Sequence, residues 1–249
     1  MAVNASWICW AMGGPVGRAA PGWQLLAYNR STGGVRAIAR FAAGPDGVPL
    51  GNGPMPLWLA GNNVIWSAAT ARPPAGLHYD TFEAGLRGGA IRTLAGDALA
   101  AGVVGDQLFV TQYRLVAGTR APGLVARIDL GRGTTTTLAA TGGAIDAAAG
   151  PGGLIWITGQ PPGRAVEVAD LAGNGVEVIS RGGTPQFPVA AGRLLLWDGY
   201  DAGLFGYDPA ARRVFQLTTS MGFVMASGGQ VFWTELHDPM LHWFVAPAT

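Results

Sequence analysis

Lysine is absent from this sequence, and cysteine occurs once, as Cys9. A lone cysteine rules out an intrachain disulfide, so packing alone must hold the fold, and secretion is neither required nor excluded. Cys9 lies between Ile8 and Trp10 in a strand pattern with no histidine near it in sequence. It therefore reads as a buried structural thiol and not as a nucleophile. All 16 basic residues are arginine, a bias that a GC-rich genome also produces and that carries no functional weight. Charge of either sign is scarce: 12% of the residues are charged and the net charge is +1. That balance argues against a broad electrostatic footprint for nucleic acid. A basic segment followed by an apolar one is missing from the N-terminus, so no signal peptide is expected in the sequence as it stands. Two uncharged stretches, 47–71 and 214–234, are interrupted by glycine and by polar residues. They read as strands and turns, with no membrane insertion.

Motifs that carry chemistry are missing too. There is no G-x-S-x-G, no phosphate-binding P-loop, no H-E-x-x-H and no C-x-x-C. No catalytic residue, cofactor or metal is expected.

What is abundant is punctuation: 40 glycines and 17 prolines, spread along 249 residues of which 49% are hydrophobic. This suits many short strands joined by tight turns around a sizeable core. The punctuation is periodic. Five times a small residue steps into glycine and a bulky strand residue follows: Gly61 to Trp66, Gly105 to Val110, Gly150 to Trp156, Gly192 to Trp197 and Gly228 to Trp233. A degenerate copy ends at Trp10. Successive anchors are spaced by 56, 44, 46, 41 and 36 residues, which marks a propeller or solenoid.

Each copy contains four candidate strands. The first is rich in small residues (55–60, 97–101, 144–149, 188–191, 223–226), as strands converging on a common axis must be. The alanine-rich pieces are too often broken by glycine to be helices. The second is a continuous apolar run ending in the anchor, as expected of a strand covered on both faces. The third ends at an Asp or Asn followed by a turn, at Asn29, Asp80, Asp129, Asp170 and Asp208. The fourth alternates polar and apolar, the pattern of an outer, half-solvated strand.

This order of elements resembles the bacterial TolB-like and related six-bladed propellers over almost the whole chain. The resemblance implies an all-β fold, a six-bladed β-propeller of four-stranded antiparallel blades in one domain, 1–249. It also implies a binding platform, and an extracytoplasmic location if the native product is longer. Tryptophans 66, 156, 197 and 233 are expected between blades, in the core and not stacked on sugars. The last copy leaves room for only three strands. Its third strand, Leu241-His242-Trp243-Phe244-Val245, is expected to present an edge open to pairing with another chain.

In such a fold the loops between second and third strands open on the face where ligands usually bind. Here they carry Arg18, Arg72, Arg114, Arg120 and Arg164 in the first four copies, then Asp198, Asp201, Glu235, His237 and Asp238 in the last two. Blades closing in order would give a rim basic on one arc and acidic on the other, suited to orienting a charged protein or other macromolecular partner. Glu235, His237 and Asp238 also have metal-ligating chemistry, but with no matching ligand from another copy they read as a polar loop. His78 leads into a third strand and is not expected to join a catalytic centre. Binding without catalysis is the leading expectation; a propeller hydrolase or lyase with central acid–base residues is the alternative.

Overall fold

The computed structural model describes every residue except 16–20, 42–55, 73–75, 117–118, 221–222, 228, 238–239 and 248–249. Its strands form six successive sheets, each built from strands that are neighbours in sequence. The first holds β1 (Ala2–Val3), β2 (Trp7–Pro15), β3 (Pro21–Asn29) and β4 (Val35–Phe41). The second holds β5 (Leu57–Ala60), β6 (Asn63–Arg72), β7 (Gly76–Gly85) and β8 (Arg92–Ala95). The third holds β9 (Ala98–Val104), β10 (Gln107–Val116), β11 (Thr119–Asp129) and β12 (Thr135–Leu138). The fourth holds β13 (Asp146–Gly150), β14 (Gly153–Thr158), β15 (Ala165–Ala169) and β16 (Glu177–Arg181). The fifth holds β17 (Gln186–Ala191), β18 (Leu194–Asp198), β19 (Leu204–Asp208) and β20 (Arg213–Thr218). The sixth has three strands, β21 (Phe223–Ser227), β22 (Gln230–His237) and β23 (Met240–Pro247). This is the all-β, six-bladed propeller architecture, with three strands in the last blade among the described residues.

The repeat glycines explain themselves at the first turn of each sheet. Gly61, Gly105 and Gly192 each open a two-residue hairpin turn, with φ of 57°, 58° and 51°. A Cβ at Gly61 or Gly105 would touch nothing, so conformation and not space selects glycine there. At the other end of the third strand the Asx residues work as expected. One carboxylate oxygen of Asp129 accepts the N–H groups of Gly131 and Arg132, at 3.0 and 2.8 Å. Asn29, Asp170 and Asp208 close their turns likewise. Asp80 departs from this pattern. It lies within β7, which runs on to Gly85 before turning, and its carboxylate is committed to other partners.

The chain divides into two compact units, Met1–Ala100 with Gln112–Ala121, and Ala101–Thr111 with Pro122–Thr249. In the first, Trp7, Cys9, Trp23, Leu25, Val64, Trp66 and Leu86 form one apolar cluster. Cys9 is fully buried, and loss of solvation pushes its thiol pKa up to about 11, so it packs as an apolar residue. In the second unit, Trp156 belongs to a cluster with Phe109 and Leu154, and Trp197 to one with Ile155 and Tyr207. Trp66, Trp156 and Trp197 are thus core residues. Trp233 is not fully so: it is half-buried and its indole N–H donates to Glu235 at 3.0 Å.

The small residues of first strands have the expected steric cause. β13 packs on β17, where Ala147, Ala148 and Ala149 are buried. A Cβ added at Gly150 would stand 2.7 Å from that of Ala190.

Candidate binding site

Among the described residues, the middle hairpin of the second sheet outruns both of its flanking strands. β6 and β7 pair from Asn63↔Gly85 to Arg72↔Gly76, whereas β5 covers only Asn63 to Trp66 and β8 only Thr81 to Glu83. The remainder projects as a two-stranded ribbon. β2 and β3 pair from Trp7↔Asn29 to Pro15↔Pro21; β1 covers only Ile8 and Cys9, but β4 accompanies β3 from Tyr28 to Trp23, so this hairpin is uncovered on one side only. β22 and β23 continue past β21 to His237↔Met240. The hairpins β14–β15 and β18–β19 have no such extension.

Two-stranded ribbons are marginal by themselves in water, and the ribbon of the second sheet is held by a polar cluster within the first unit. The Thr70 hydroxyl donates to Asp80 Oδ2 at 2.8 Å. Asp80 Oδ1 accepts the backbone N–H of Asp97 at 3.0 Å. Asp97, with φ of 50°, turns the chain between β8 and β9 and sets its carboxylate against His78 Nδ1. The Tyr113 hydroxyl, on β10 of the third sheet, accepts the Tyr79 N–H and donates to the Tyr79 carbonyl. Deeper in the sheet, Ser67 Oγ accepts the Ala100 N–H at 2.7 Å, and Thr81 Oγ1 donates to the Ala98 carbonyl at 3.0 Å.

His78 is therefore a positioned imidazole. A carboxylate only accepts, so Nδ1 carries the proton shared with Asp97. His78 is 8% exposed, and its Nε2 is buried without a hydrogen-bond partner among the described residues. A carboxylate-held imidazole with an uncommitted nitrogen suits proton transfer or ligand contact. No local pattern in the sequence pairs His78 with Asp97. The visible signal was Asp80, which is followed by Thr81-Phe82-Glu83 and not by turn residues.

The residues expected on the loop face distribute as follows. Arg72 is the last residue of β6, Arg120 the second of β11 and His237 the last of β22. Arg114 lies exposed on β10. Arg164 is half-buried between β14 and β15 and donates to the Pro185 carbonyl at 3.1 Å. Asp201 is exposed in a short 3-10 turn. Asp198 is 5% exposed, accepting Gln186 Nε2 at 2.8 Å and the Tyr200 N–H at 2.6 Å, so its charge serves the fold. Glu235 sits within β22, not in a loop. Arg18 and Asp238 lie outside the described residues.

No protein-family model matches the chain, and no curated protein matches it in sequence. Solved structures do match in fold. TolB from Acinetobacter baumannii superposes with a TM-score of 0.59 at 11% identity over 98% of this chain; the chain spans only 61% of TolB's length. The β-propeller domain of the Trilobed protease from Pyrococcus furiosus, described as having an open velcro topology, gives 0.65 at 9% identity over 99% of this chain and 79% of that one. A puromycin-hydrolyzing peptidase of Mycobacterium tuberculosis gives 0.58 at 17% identity over 99% of this chain and 44% of that one. The architecture is that of a TolB-like β-propeller. At these identities the likeness establishes the fold alone, one shared by TolB and by peptidases.

Proposed function

We propose that this propeller is a non-catalytic binding platform for a protein or other macromolecular partner, engaged through its projecting hairpin ribbons. The observation that carries this reading is the extension of β6–β7 beyond both flanking strands, stiffened by the Thr70–Asp80–Asp97–His78 cluster and by Tyr113 on Tyr79. A pre-ordered ribbon lowers the entropy lost on association. Arg72 at the end of the β6–β7 ribbon, with Arg114 on β10 and Arg120 on β11, favours an acidic surface, while Asp201 and Glu235 of the second unit supply the opposite sign. The test is affinity capture and crosslinking from extract with the wild type and with the triple variant Arg72→Ser, Arg114→Ser, Arg120→Ser. The expected result is a partner crosslinked at the ribbons and lost from the variant at unchanged Tm. Equal capture by both proteins removes the ribbons from the interface.

The strand β23 provides a second contact. It has a strand neighbour on one side only among the described residues, and Val245 is 56% exposed. The backbone of 241–245 is proposed to pair with a strand of a second chain. A strictly monomeric protein whose 243 and 244 amides are already protected from exchange would oppose this.

One observation favours the alternative, a hydrolase or lyase: the carboxylate-held His78. Under that reading His78→Gln abolishes turnover of the substrate while leaving Tm intact. Under the binding reading it loosens the ribbon.

A further inference from the structure

The second unit contains a cleft of about 540 Å³ between the fourth and fifth sheets, at the end of these sheets opposite Arg164 and Asp198. It is an open cleft and not an enclosed cavity. The floor is apolar, formed by Val168, Leu195 and Pro209. At its rim Tyr207, 5% exposed, donates its hydroxyl to Glu177 Oε2 at 3.2 Å, and Arg212 donates to the same oxygen at 2.9 Å. Glu177 Oε1 is without a partner among the described residues, and the Arg212 side chain is 72% exposed.

Arg212 occupies an unusual place. It stands four residues after the turn residue Asp208, with φ of 48°. The same position after Asn29 is Gly33, and after Asp129 is Gly133, with φ of 71° and 70°. Where those two turns use the residue that takes this conformation freely, and the Asp170 turn places Asn174, the fifth sheet uses a guanidinium and sets it against Glu177 and Tyr207. Backbone tension held at a cleft is a pointer to function.

We propose that this cleft binds a small neutral polyhydroxylated ligand of the saccharide class. The guanidinium and carboxylate already neutralise one another, and Asp170, the remaining charged group of the lining, accepts the N–H groups of Ala172 and Asn174. An anion would have to draw Arg212 from Glu177 and would face two carboxylates. A cation would meet the exposed guanidinium. A hydroxyl both donates and accepts, so vicinal hydroxyls match the adjacent Arg212 donors and the Glu177 Oε1 acceptor without breaking the pair. The C–H face of the ligand then rests on the apolar floor.

The experiment is NMR titration of the whole chain with cellobiose, maltose, lactose and N-acetylglucosamine, against N-acetylaspartate and N-acetyllysine amide. At least one neutral sugar is expected to shift the amides of Gly175, Val176, Glu177 and Arg212. Arg212→Gly, which suits the turn, is expected to weaken that binding by about tenfold or more, as loss of a charge-assisted hydrogen bond does; Tyr207→Phe, which removes only a hydrogen bond to Glu177, is expected to weaken it less. Tm of both variants is measured alongside, so that loss of binding is separated from loss of fold. The proposal is overturned if no neutral sugar shifts these amides, if a charged probe binds in their place, or if Arg212→Gly binds as the wild type does.

Discussion

Trp66 stacks on Phe82, its direct partner across β6 and β7, with ring centroids 5.7 Å apart and planes inclined by 29°. The fifth sheet repeats the relationship with Trp197 and Phe205, at 5.6 Å and 15°. In both cases the anchor tryptophan is a cross-strand core element; Trp156, equally buried, faces Glu167 across β14 and β15 instead.

Truncating these anchors tests that role. Trp66→Ala or Trp156→Ala removes a side chain with no exposed surface and should destabilise by about 3–5 kcal/mol. Trp233, half-buried beside Glu235, should cost less than half as much. Chemical denaturation of the three variants orders them. Equal losses would place Trp233 in the core with the others.

The two kinds of glycine predict different failures. Gly105→Ala meets no atom but must hold φ near 58°, so it should cost about 1–2 kcal/mol, and Gly105→Asn should recover much of that. Gly152 is different: a Cβ there would collide with the Arg193 carbonyl, part of the backbone. Gly152→Ala should therefore be the more damaging of the two alanine variants, and Gly152→Asn should give no recovery. Urea midpoints of the four variants distinguish conformation from space.

Much of this architecture was legible in the residues. Anchor runs such as Leu154-Ile155-Trp156 and turn signals such as Asp129-Leu130-Gly131 are local, and each fixes a strand end by its own chemistry. The site was less legible. Asp80 resembles the turn residues in type, yet it is spent on Thr70 and on the N–H of Asp97, a contact spanning 17 residues. The hairpin extensions are not legible because their outer residues, Arg72 and His237 among them, lack the apolar alternation by which strands are recognised. The pairing of His78 with Asp97 arises from register, which no local pattern encodes.

Acid should loosen the Asx turns first. The N–H of Arg132, with help from Gln107 and Gly131, holds the Asp129 carboxyl below the usual carboxylate range. The N–H groups of Asn174 and Ala172 do the same for Asp170. A carboxyl lowered by folding is protonated first in the unfolded chain. Its contribution is complete above the ordinary value, about 3.9, and is lost as pH falls through the lower folded value. Asn29 shows that an amide closes the same turn without titrating. The double variant Asp129→Asn, Asp170→Asn should match the wild-type Tm at neutral pH and lose less Tm between about pH 4 and pH 2. An identical acid profile would show that these turns contribute nothing to acid stability.

Tyr113 is the clearest single point of support for the ribbon of the second sheet. Its hydroxyl accepts from the Tyr79 N–H and donates to the Tyr79 carbonyl, and the two rings meet edge-on at 71° and 6.5 Å. Tyr113→Phe keeps the ring and removes both hydrogen bonds. A single bond contributes about 0.5–1.5 kcal/mol, so the variant should lose about 1–3 kcal/mol if both groups find no substitute. The loss should be local. Amide exchange should rise along 77–80 and in the partner positions of β6, while the Asp129 and Asp208 turns of the second unit keep their wild-type rates. If exchange rises uniformly, Tyr113 supports the fold as a whole. If it does not rise at all, the ribbon is held by the Thr70–Asp80–Asp97 contacts alone, and Asp97→Ala becomes the variant that must release it.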